Sequence, residues 1–252
     1  MTLSPKNTDV QSLFNTIAPE YDKMNNIISL GTHKNWRQKV MKKMVFPKGA
    51  EIIDLATGTA DWAIALAEKS DPTAKITGLD FSREMLTVGQ HKVDLSDYAD
   101  KITLVQGDAM SLPFEDNHFD IVTIGFGLRN LPDPIQGLRE MYRVLKPGGQ
   151  LVVLETSQPD NPIVKPFWRL YFGQVMPLLG KYFANGKYSA YKYLDETTEN
   201  FMDYMTLGQV MLRLKFQKVV ISRFNLGAAA VHYATKSCLL YTSPSPRDTE
   251  RS

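Results

Sequence analysis

The sequence is poor in the residues that form disulfide frameworks and metal centres. It contains one cysteine, Cys238, and four scattered histidines, none of which shows the spacing of a zinc-binding helix. A single cysteine excludes an internal disulfide and a multi-cysteine metal site. We therefore expect the protein to work without a metal ion.

Long hydrophobic runs and a strong net charge are also missing. No segment approaches the roughly 18 consecutive apolar residues of a membrane-spanning helix, and the first residues lack the apolar stretch of a signal peptide. The formal net charge is +2, from 29 basic and 27 acidic residues, so no overall field points to a nucleic-acid partner. These absences favour a cytoplasmic globular protein that does not bind nucleic acid.

Apolar runs alternate with segments of helical spacing from about residue 50 onward. This alternation is typical of an α/β protein whose parallel sheet is covered by helices on both faces. We expect the helix that begins at Pro134 to end at Gly148 and Gly149, and the last two strands to be joined by a turn at Gly227. The predicted strands are EIIDLA, KITGLDF, KITLVQGDA, FDIVTIGFG, QLVVLET, FQKVVISRFN and AAAVHYATK. The fold class is therefore α/β, with a Rossmann-like, seven-stranded, mostly parallel sheet.

Three segments fall outside this regular pattern. Residues 1–45 carry helical spacing and precede the first strand, so we expect a helical cap on the domain formed by residues 46–236. Residues 161–194 contain no acid, five Lys or Arg and nine aromatic residues, and they follow the fifth strand, which suits a lid over a substrate site. Residues 237–252 resemble read-through of a cloning adapter, and we expect them to be non-native.

The turn after the first strand, DLATGTAD, indicates the kind of cofactor. A dinucleotide site would carry GxGxxG, whereas this turn has the single glycine Gly58, followed by Thr59. The turn also carries an acid, Asp61, which would repel a phosphate at this position. A phosphate-free cofactor with a sulfonium cation fits better, because Asp54 and Asp61 would attract it. The turn therefore predicts S-adenosylmethionine.

Acids at the ends of the next two strands support this prediction. Asp80 stands 22 residues after Gly58, about where a carboxylate accepts hydrogen bonds from ribose hydroxyls. Asp108 ends the third strand and could accept the adenine amino group, while Ala109 offers its backbone amide. Gly125, at the end of the fourth strand, completes the expected cofactor-binding set. Taken singly, Asp80 could be a helix N-cap and Asp108 a turn former.

Three longer motifs resemble a known enzyme family. They are YDKMNNIISLGTHKNW at residues 21–36, VTIGFGLRNLPD at 122–133 and RVLKPGGQLVVLETS at 143–157. They are similar to signatures of the quinone C-methyltransferases of menaquinone and ubiquinone synthesis, which have the class I S-adenosylmethionine-dependent fold. The resemblance covers residues 10–236 and is closer to the menaquinone branch, the demethylmenaquinone methyltransferases. It implies methyl transfer to a ring carbon of a polyprenylated naphthoquinol. The chain departs from the common glycine-rich turn, since Ala56 and Ala60 flank Gly58.

The implied chemistry needs a group that favours the ionised quinol hydroxyl. We expect Arg129 to stabilise the phenolate, Asn130 to orient a water molecule, Tyr21 to hydrogen-bond the substrate and His33 to act as base. The alternatives are a solvent-facing arginine, a turn asparagine and a structural histidine. Glu155 could pair with Arg129 or simply border the site.

The lid suggests how the hydrophobic tail is covered. Its aromatic and aliphatic residues lie beside Lys165, Arg169 and Lys181, a pattern suited to an apolar chain and to anionic headgroups at the inner face of the membrane. The alternative is a helical cap packed on its own core. The acceptor could also be a benzoquinol or another small molecule, and a non-catalytic S-adenosylmethionine-binding module is a third interpretation. The number of subunits stays open, with a homodimer as one option.

Overall fold

A computed structural model of the chain describes residues 7–29, 31–159, 161–171, 175, 193, 197–198 and 200–238. The helices are α1 Asn7–Ile17, α2 Tyr21–Ile28, α3 Thr32–Met41, α4 Asp61–Lys69, α5 Arg83–Asp94, α6 Pro134–Val144, α7 Val164–Leu170 and α8 Tyr204–Arg213. The strands are β1 Glu51–Leu55, β2 Lys75–Asp80, β3 Ile102–Gln106, β4 Phe119–Gly125, β5 Leu145–Thr156, β6 Phe216–Phe224 and β7 Ala229–Lys236.

All seven strands form one sheet, in the order β3-β2-β1-β4-β5-β7-β6. The pairs from β3 to β5 are parallel, and β7 runs antiparallel to both of its neighbours. The predicted Rossmann-like, mostly parallel seven-stranded sheet is therefore confirmed. The strand order reverses between β1 and β4, which opens a crevice at the carboxyl ends of these strands, where open α/β sheets bind ligands.

The sheet is buried on both faces because its strands are apolar at consecutive positions. In β1, Ile52 packs into the cluster that contains Trp62 of α4, and Ile53 packs into the opposite cluster with Leu138 of α6. Successive side chains of a strand point to opposite faces, so one apolar run supplies both cores. Helices cover the two faces as the alternation predicts.

The boundary between α6 and β5 differs from the prediction. The helix begins as expected, since Asp133 caps it by accepting hydrogen bonds from the N–H groups of Ile135 at 2.9 Å and Gln136 at 3.0 Å. It ends at Val144 rather than at the Gly148–Gly149 pair, because Leu145 is already paired with Phe119 in the sheet and fully buried. The register shifts before Gln150 pairs with Ile121, so the glycines lie in an irregular part of β5.

The described part of the expected cap, residues 1–45, consists of α1, α2 and α3. Ile17 and Ala18 pack on Met85 of α5, so the first helices sit beside the carboxyl edge of the sheet. Of the expected lid, residues 172–174, 176–192 and 194 lie outside the described residues, as do residues 239–252 of the expected non-native tail. Among the described residues, no helix has both the length and the apolar character needed to cross a bilayer.

The turn between β1 and α4 has an unusual backbone. Ala56, Gly58 and Ala60 have φ values of +50°, +57° and +62°, so every second residue is left-handed. Glycine adopts this region freely, whereas for alanine the methyl group crowds the backbone and costs roughly 1–2 kcal/mol. The turn therefore keeps its shape although two of its three left-handed positions are not glycine.

Replacing Ala56 with glycine should stabilise the protein. We expect Ala56→Gly to raise the free energy of unfolding by about 1 kcal/mol, because it relieves the left-handed strain at a position that is only half-buried. The matched control is Ala65→Gly in the interior of α4, which should lower stability by about 0.5–1 kcal/mol. Urea denaturation measures both. A loss of stability in Ala56→Gly as large as that in the control would contradict the strain.

Candidate active site

A cleft of about 310 Å³ lies at the carboxyl ends of β1, β2 and β4, beneath the cap. Its size falls within the range of small-molecule sites. The cap supplies one wall through Val10, Gln11, Phe14 and Tyr21, and the ends of the strands supply the other. The predicted site residues that line it are Tyr21, Gly58, Asp80, Asp108, Ala109, Gly125 and Asn130. Asp54, Thr59, His33 and Arg129 are not among the lining residues.

Asp80 connects the end of β2 to the turn. Its Oδ2 accepts a hydrogen bond from the N–H of Gly58 at 2.8 Å, and its Oδ1 accepts one from Ser82 at 2.9 Å. Burial raises the pKa of Asp80 to about 6, although these backbone hydrogen bonds act to lower it. The helix N-cap is Ser82, whose Oγ accepts from the N–H of Met85 at 3.2 Å, so the N-cap alternative for Asp80 is wrong. Asp80 lines the cleft, and its contact with the ribose hydroxyls stays a prediction.

The end of β3 brings Asp108 and Ala109 to the cleft. The Asp108 Oδ1 accepts a hydrogen bond from the N–H of Met110 at 2.8 Å, so the carboxylate also forms the local turn. Asp108 is exposed and Ala109 is buried. An exposed carboxylate beside a buried backbone suits one edge of an adenine ring, and this role of the two residues stays a prediction.

Asp54 and Asp61, which the sequence suggested would attract the sulfonium, are held by other groups. Asp54 is buried and accepts hydrogen bonds from the hydroxyls of Thr57 and Thr123, both at 2.7 Å. Burial raises its pKa to about 6, against the lowering effect of these hydroxyls. Asp61 forms ion pairs with Arg37 at 3.2 Å and with Lys92. Neither lines the cleft, so direct cofactor contact by Asp54 stays a prediction, and its visible effect is to secure the turn.

Arg129 lies behind the wall of the cleft rather than in it. Its Nη1 is 2.6 Å from Oε2 of Glu155, and its backbone N–H donates to Oε1 of the same residue at 3.2 Å. The side chains are 6% and 3% exposed, so this is a buried ion pair. The guanidinium carbon is 6.0 Å from the centre of the Phe126 ring, which itself lines the cleft. The pairing with Glu155 is the one that the sequence suggested.

Asn130 faces the cleft and contacts a residue that the sequence did not single out. Its Oδ1 accepts a hydrogen bond from the Tyr193 hydroxyl at 3.3 Å, and its Nδ2 donates to the carbonyl of Phe126 at 3.2 Å. Burial raises the pKa of Tyr193 to about 12, with Arg129 lowering it and Glu155 raising it. Nothing but the aromatic richness of the segment pointed to Tyr193.

Tyr21 lies over the turn. A side-chain carbon built on Gly58 would stand 3.6 Å from Cε1 of Tyr21, so the ring lies directly over the turn, and both line the cleft. Burial raises the pKa of Tyr21, although a hydrogen bond with Asn25 and the charge of Arg129 act to lower it. The hydroxyl is therefore protonated at neutral pH and can donate a hydrogen bond.

His33 is placed apart from this cluster. It is buried, and its Nδ1 is 2.5 Å from Oγ of Ser29. Burial, aided by the charge of Arg37, lowers its pKa to about 4. Such an imidazole is a weak base, and it does not line the cleft. The role as base stays a prediction, and this position favours the structural alternative.

Gly125 and Thr59 have clear packing and hydrogen-bonding roles. A side-chain carbon at Gly125 would lie 2.1 Å from Cζ3 of the buried Trp62, so only glycine fits without moving that ring. The hydroxyl of Thr59 donates to Oδ1 of Asp22 at 2.6 Å and thereby connects the turn to the cap. Cofactor contact by either residue stays a prediction.

Comparison with known proteins shows close relatives. The ubiE/COQ5 methyltransferase family matches residues 2–236. Curated relatives named demethylmenaquinone methyltransferase include one from Lactiplantibacillus plantarum, 54% identical over 90% of this chain and 96% of the relative. Another, from Listeria monocytogenes, is 47% identical over 92% of this chain and 97% of the relative.

Solved structures confirm the fold. An S-adenosylmethionine-dependent methyltransferase from Thermotoga maritima, described as a possible histamine N-methyltransferase, has a TM-score of 0.64 at 18% identity and covers 90% of this chain and all of its own. A putative methyltransferase from Methanococcus maripaludis has a TM-score of 0.64 at 19% identity, covering 96% of this chain and 99% of its own. At these identities the likeness concerns the fold alone.

Asp80 and Asp54 allow a matched test of cofactor binding against pH. Binding that needs the ionised Asp80 carboxylate lowers its pKa in the complex, so the affinity for S-adenosylmethionine should rise with pH up to about 6 and then level off. Asp80→Asn should weaken binding and flatten this profile. Asp54→Asn removes a buried acid of the same pKa, about 6, outside the cleft and should keep the profile. Calorimetric titration between about pH 5 and 8 measures this. A profile that survives in Asp80→Asn would contradict the assignment.

Proposed function

The chain belongs to the ubiE/COQ5 methyltransferase family, and on this premise we propose that it transfers a methyl group from S-adenosylmethionine to a ring carbon of demethylmenaquinol, giving menaquinol. It is an S-adenosylmethionine-dependent methyltransferase. The observation that carries the proposal is the cleft at the strand ends, where Gly58, Asp80 and Asp108 meet Tyr21 and Asn130. Gly58, Asp80 and Asp108 suit the cofactor, and Tyr21 and Asn130 suit a phenolic acceptor.

The residues of the cleft fit the cofactor. Gly58 turns its N–H toward the Asp80 carboxylate and carries no side chain that would fill the space below Tyr21. Asp80 presents acceptor oxygens for the ribose, and Leu79 and Met85 add apolar lining. When bound, S-adenosylmethionine supplies an activated methyl group on a sulfonium. The protein has to align that methyl group with the acceptor and exclude water.

The acceptor side of the cleft can make the quinol ring nucleophilic. We propose that the protonated hydroxyl of Tyr21 donates a hydrogen bond to the quinol oxygen, and that Asn130, oriented by Tyr193, holds a water that takes the proton. Arg129 stands behind Phe126, where its charge favours the phenolate without direct contact. The new bond joins the ring carbon to the methyl group as the sulfur–methyl bond breaks, which leaves S-adenosylhomocysteine. The ring carbon then loses its proton to solvent, which restores the aromatic ring, and the phenolate oxygen regains a proton.

The described part of the lid suits a lipid-bound substrate. Ile163, Leu170 and Val175 are 74%, 50% and 38% exposed, and Lys165 and Arg169 lie in the same segment. Exposed apolar side chains beside cations are typical of surfaces that contact an anionic bilayer. We propose that the enzyme is cytoplasmic and touches the inner face of the membrane through this segment, where a polyprenylated quinol resides.

The reaction is tested with methyl-labelled S-adenosylmethionine and demethylmenaquinol, followed by extraction of the lipid. We expect label in menaquinol with the reduced acceptor and none with the oxidised quinone, because only the quinol ring is electron-rich. A polyprenylated benzoquinol that lacks the ring methyl group serves as the comparison acceptor and shows whether benzoquinols are also methylated. No label in menaquinol, despite demonstrated cofactor binding, would contradict the proposed acceptor.

The same assay tests Tyr21. Tyr21→Phe should lower kcat at least about tenfold with little change in the Kd for the cofactor, because one hydrogen bond to a developing phenolate is lost. The matched control is Tyr142→Phe on α6, which removes a hydroxyl beside Phe216 at a position that does not line the cleft. Equal rates in the two variants would exclude the role of Tyr21 in catalysis.

Vesicle binding tests the membrane surface. We expect vesicles that contain anionic lipid to retain the protein more than neutral ones, and the double variant Ile163→Ser and Leu170→Ser to weaken this binding several-fold. Leu212→Ser, at a position 55% exposed on α8, is the control for loss of an exposed leucine. Equal partitioning to neutral and anionic vesicles would rule out the electrostatic part of the contact.

A further inference from the structure

Lys92 joins three separate parts of the molecule beside the cofactor turn. Its Nζ donates to Oδ2 of Asp22 at 2.7 Å, to Oγ1 of Thr59 at 3.2 Å and to Oδ1 of Asp61. Asp22 belongs to α2 of the cap, Thr59 to the turn after β1, and Asp61 to the first turn of α4. An ammonium group has three N–H donors, and here each has an acceptor from a different element.

The position of Lys92 on α5 explains how it reaches all three. Met85 packs on the cap residues Ile17 and Ala18 in the cluster that also includes Val88. Four residues after Val88 the same helix face presents Lys92. Between them, a side-chain carbon at Gly89 would lie 3.2 Å from Cβ of Ala60, so glycine allows α5 to lie directly against the turn.

The acceptors of Lys92 are also connected to one another. Thr59 donates its hydroxyl to Asp22 at 2.6 Å, which closes a ring of hydrogen bonds between Lys92, Asp22 and Thr59. Arg37 of α3 pairs with the other oxygen of Asp61 at 3.2 Å. Although burial acts to raise the pKa of Asp61, the charges and hydrogen bonds of Lys92 and Arg37 lower it overall. The two cations thus hold α2 and α3 of the cap against the start of α4.

We propose that Lys92 is a positioning residue that latches the cap onto the cofactor turn and thereby sets how long S-adenosylmethionine stays bound. Asp22 directly follows Tyr21, and the cap residues Val10, Gln11, Phe14 and Tyr21 form one wall of the cleft. A ligand held between that wall and the turn leaves more easily when the wall moves away. This inference rests on the proposed function, because it concerns the cofactor of that reaction.

Removal of the ammonium group tests the latch. Lys92→Met keeps most of the aliphatic stem, and we expect it to speed dissociation of S-adenosylmethionine about tenfold and to raise its Kd and KM to match, since three hydrogen bonds to the charged group are lost. The kcat at saturating cofactor should change less than about threefold, because Lys92 does not line the cleft. Stopped-flow displacement and steady-state kinetics give these values.

A matched control separates this effect from the loss of any surface cation. Lys75 is 75% exposed and pairs with Glu51 at 3.2 Å, at the amino end of the sheet, far from the cleft. Lys75→Met makes the same chemical change and should leave cofactor dissociation at the wild-type rate. Raising the salt concentration should speed dissociation from the wild type but have much less effect in Lys92→Met, because the latch is a partly exposed ionic contact.

A double-mutant cycle asks whether Lys92 acts through the cap. Asp22→Asn weakens the contact with α2 while leaving Asp61 paired, and we expect faster dissociation in this variant as well. The double variant Lys92→Met and Asp22→Asn should dissociate no faster than Lys92→Met, because both changes open the same contact. Lys92→Arg should release S-adenosylmethionine more slowly than Lys92→Met but faster than the wild type, because it keeps the charge but cannot reproduce three diverging donors.

The outcomes separate the latch from the proposed function. Wild-type dissociation in Lys92→Met, or fully additive effects in the double variant, would overturn the latch even if labelled menaquinol still forms. Failure of the wild type to bind S-adenosylmethionine at all would overturn the proposed function itself. Hydrogen exchange that becomes faster in α2 of Lys92→Met, but not of Lys75→Met, would support the latch independently of turnover.

Discussion

The turn between β1 and α4 is the constraint on which the site depends. Ala56 and Ala60 have left-handed backbone conformations, which are unfavourable for alanine by roughly 1–2 kcal/mol each. Several hydrogen bonds hold it in place. Asp80 accepts from the N–H of Gly58, the N–H of Thr57 donates to the carbonyl of Leu79 at 3.1 Å, and the hydroxyl of Thr57 donates to Asp54. Asp80 thus holds the backbone of the turn and Asp54 holds its Thr57 side chain, and these contacts offset the strain of the left-handed alanines.

The buried pair of Arg129 and Glu155 places two opposite charges behind Phe126, which lines the cleft. Both side chains are withdrawn from solvent, so each depends on the other for compensation. Removing one partner of a buried pair leaves an uncompensated charge and typically costs about 3–5 kcal/mol. The activity of a variant with a truncated Arg129 would therefore reflect lost stability as well as any lost catalysis. Asn130 lines the cleft beside this pair and accepts a hydrogen bond from the Tyr193 hydroxyl, whose pKa both charges influence.

Much of the architecture could be predicted from the sequence, because a strand that is buried on both faces has apolar residues at consecutive positions. The end of α6 was mispredicted because Gly148 and Gly149 look like a helix stop, whereas burial of Leu145 against the sheet decides the boundary earlier. Placement of the acids was harder. Asp54 and Asp80 both follow apolar runs, yet Asp80 reaches the cleft and Asp54 turns toward Thr123.

The role of Lys92 could not be predicted for a different reason. On an amphipathic helix it resembles any solvent-facing lysine, and its partners Asp22 and Asp61 are 70 and 31 residues away in sequence. Such a contact depends on how α5 lies across the turn, which in turn depends on Gly89. The local sequence pattern therefore does not show that α5 lies against the turn. Tyr193 was missed similarly, because its contacts with Asn130 and with the ring of Phe14 join residues that are distant in sequence.

The sheet alone does not determine the chemistry. Sheets of this kind carry many unrelated activities. What the shared fold supplies is the crevice at the switch point of the strand order. The acceptor therefore depends on the side chains placed around that crevice, which come from the cap, the loop after β4 and the segment after β5. Here the cap does two things at adjacent residues, since Tyr21 faces the cleft and Asp22 contacts the turn. One short helix, α2, therefore connects the proposed acceptor contact to the cofactor turn.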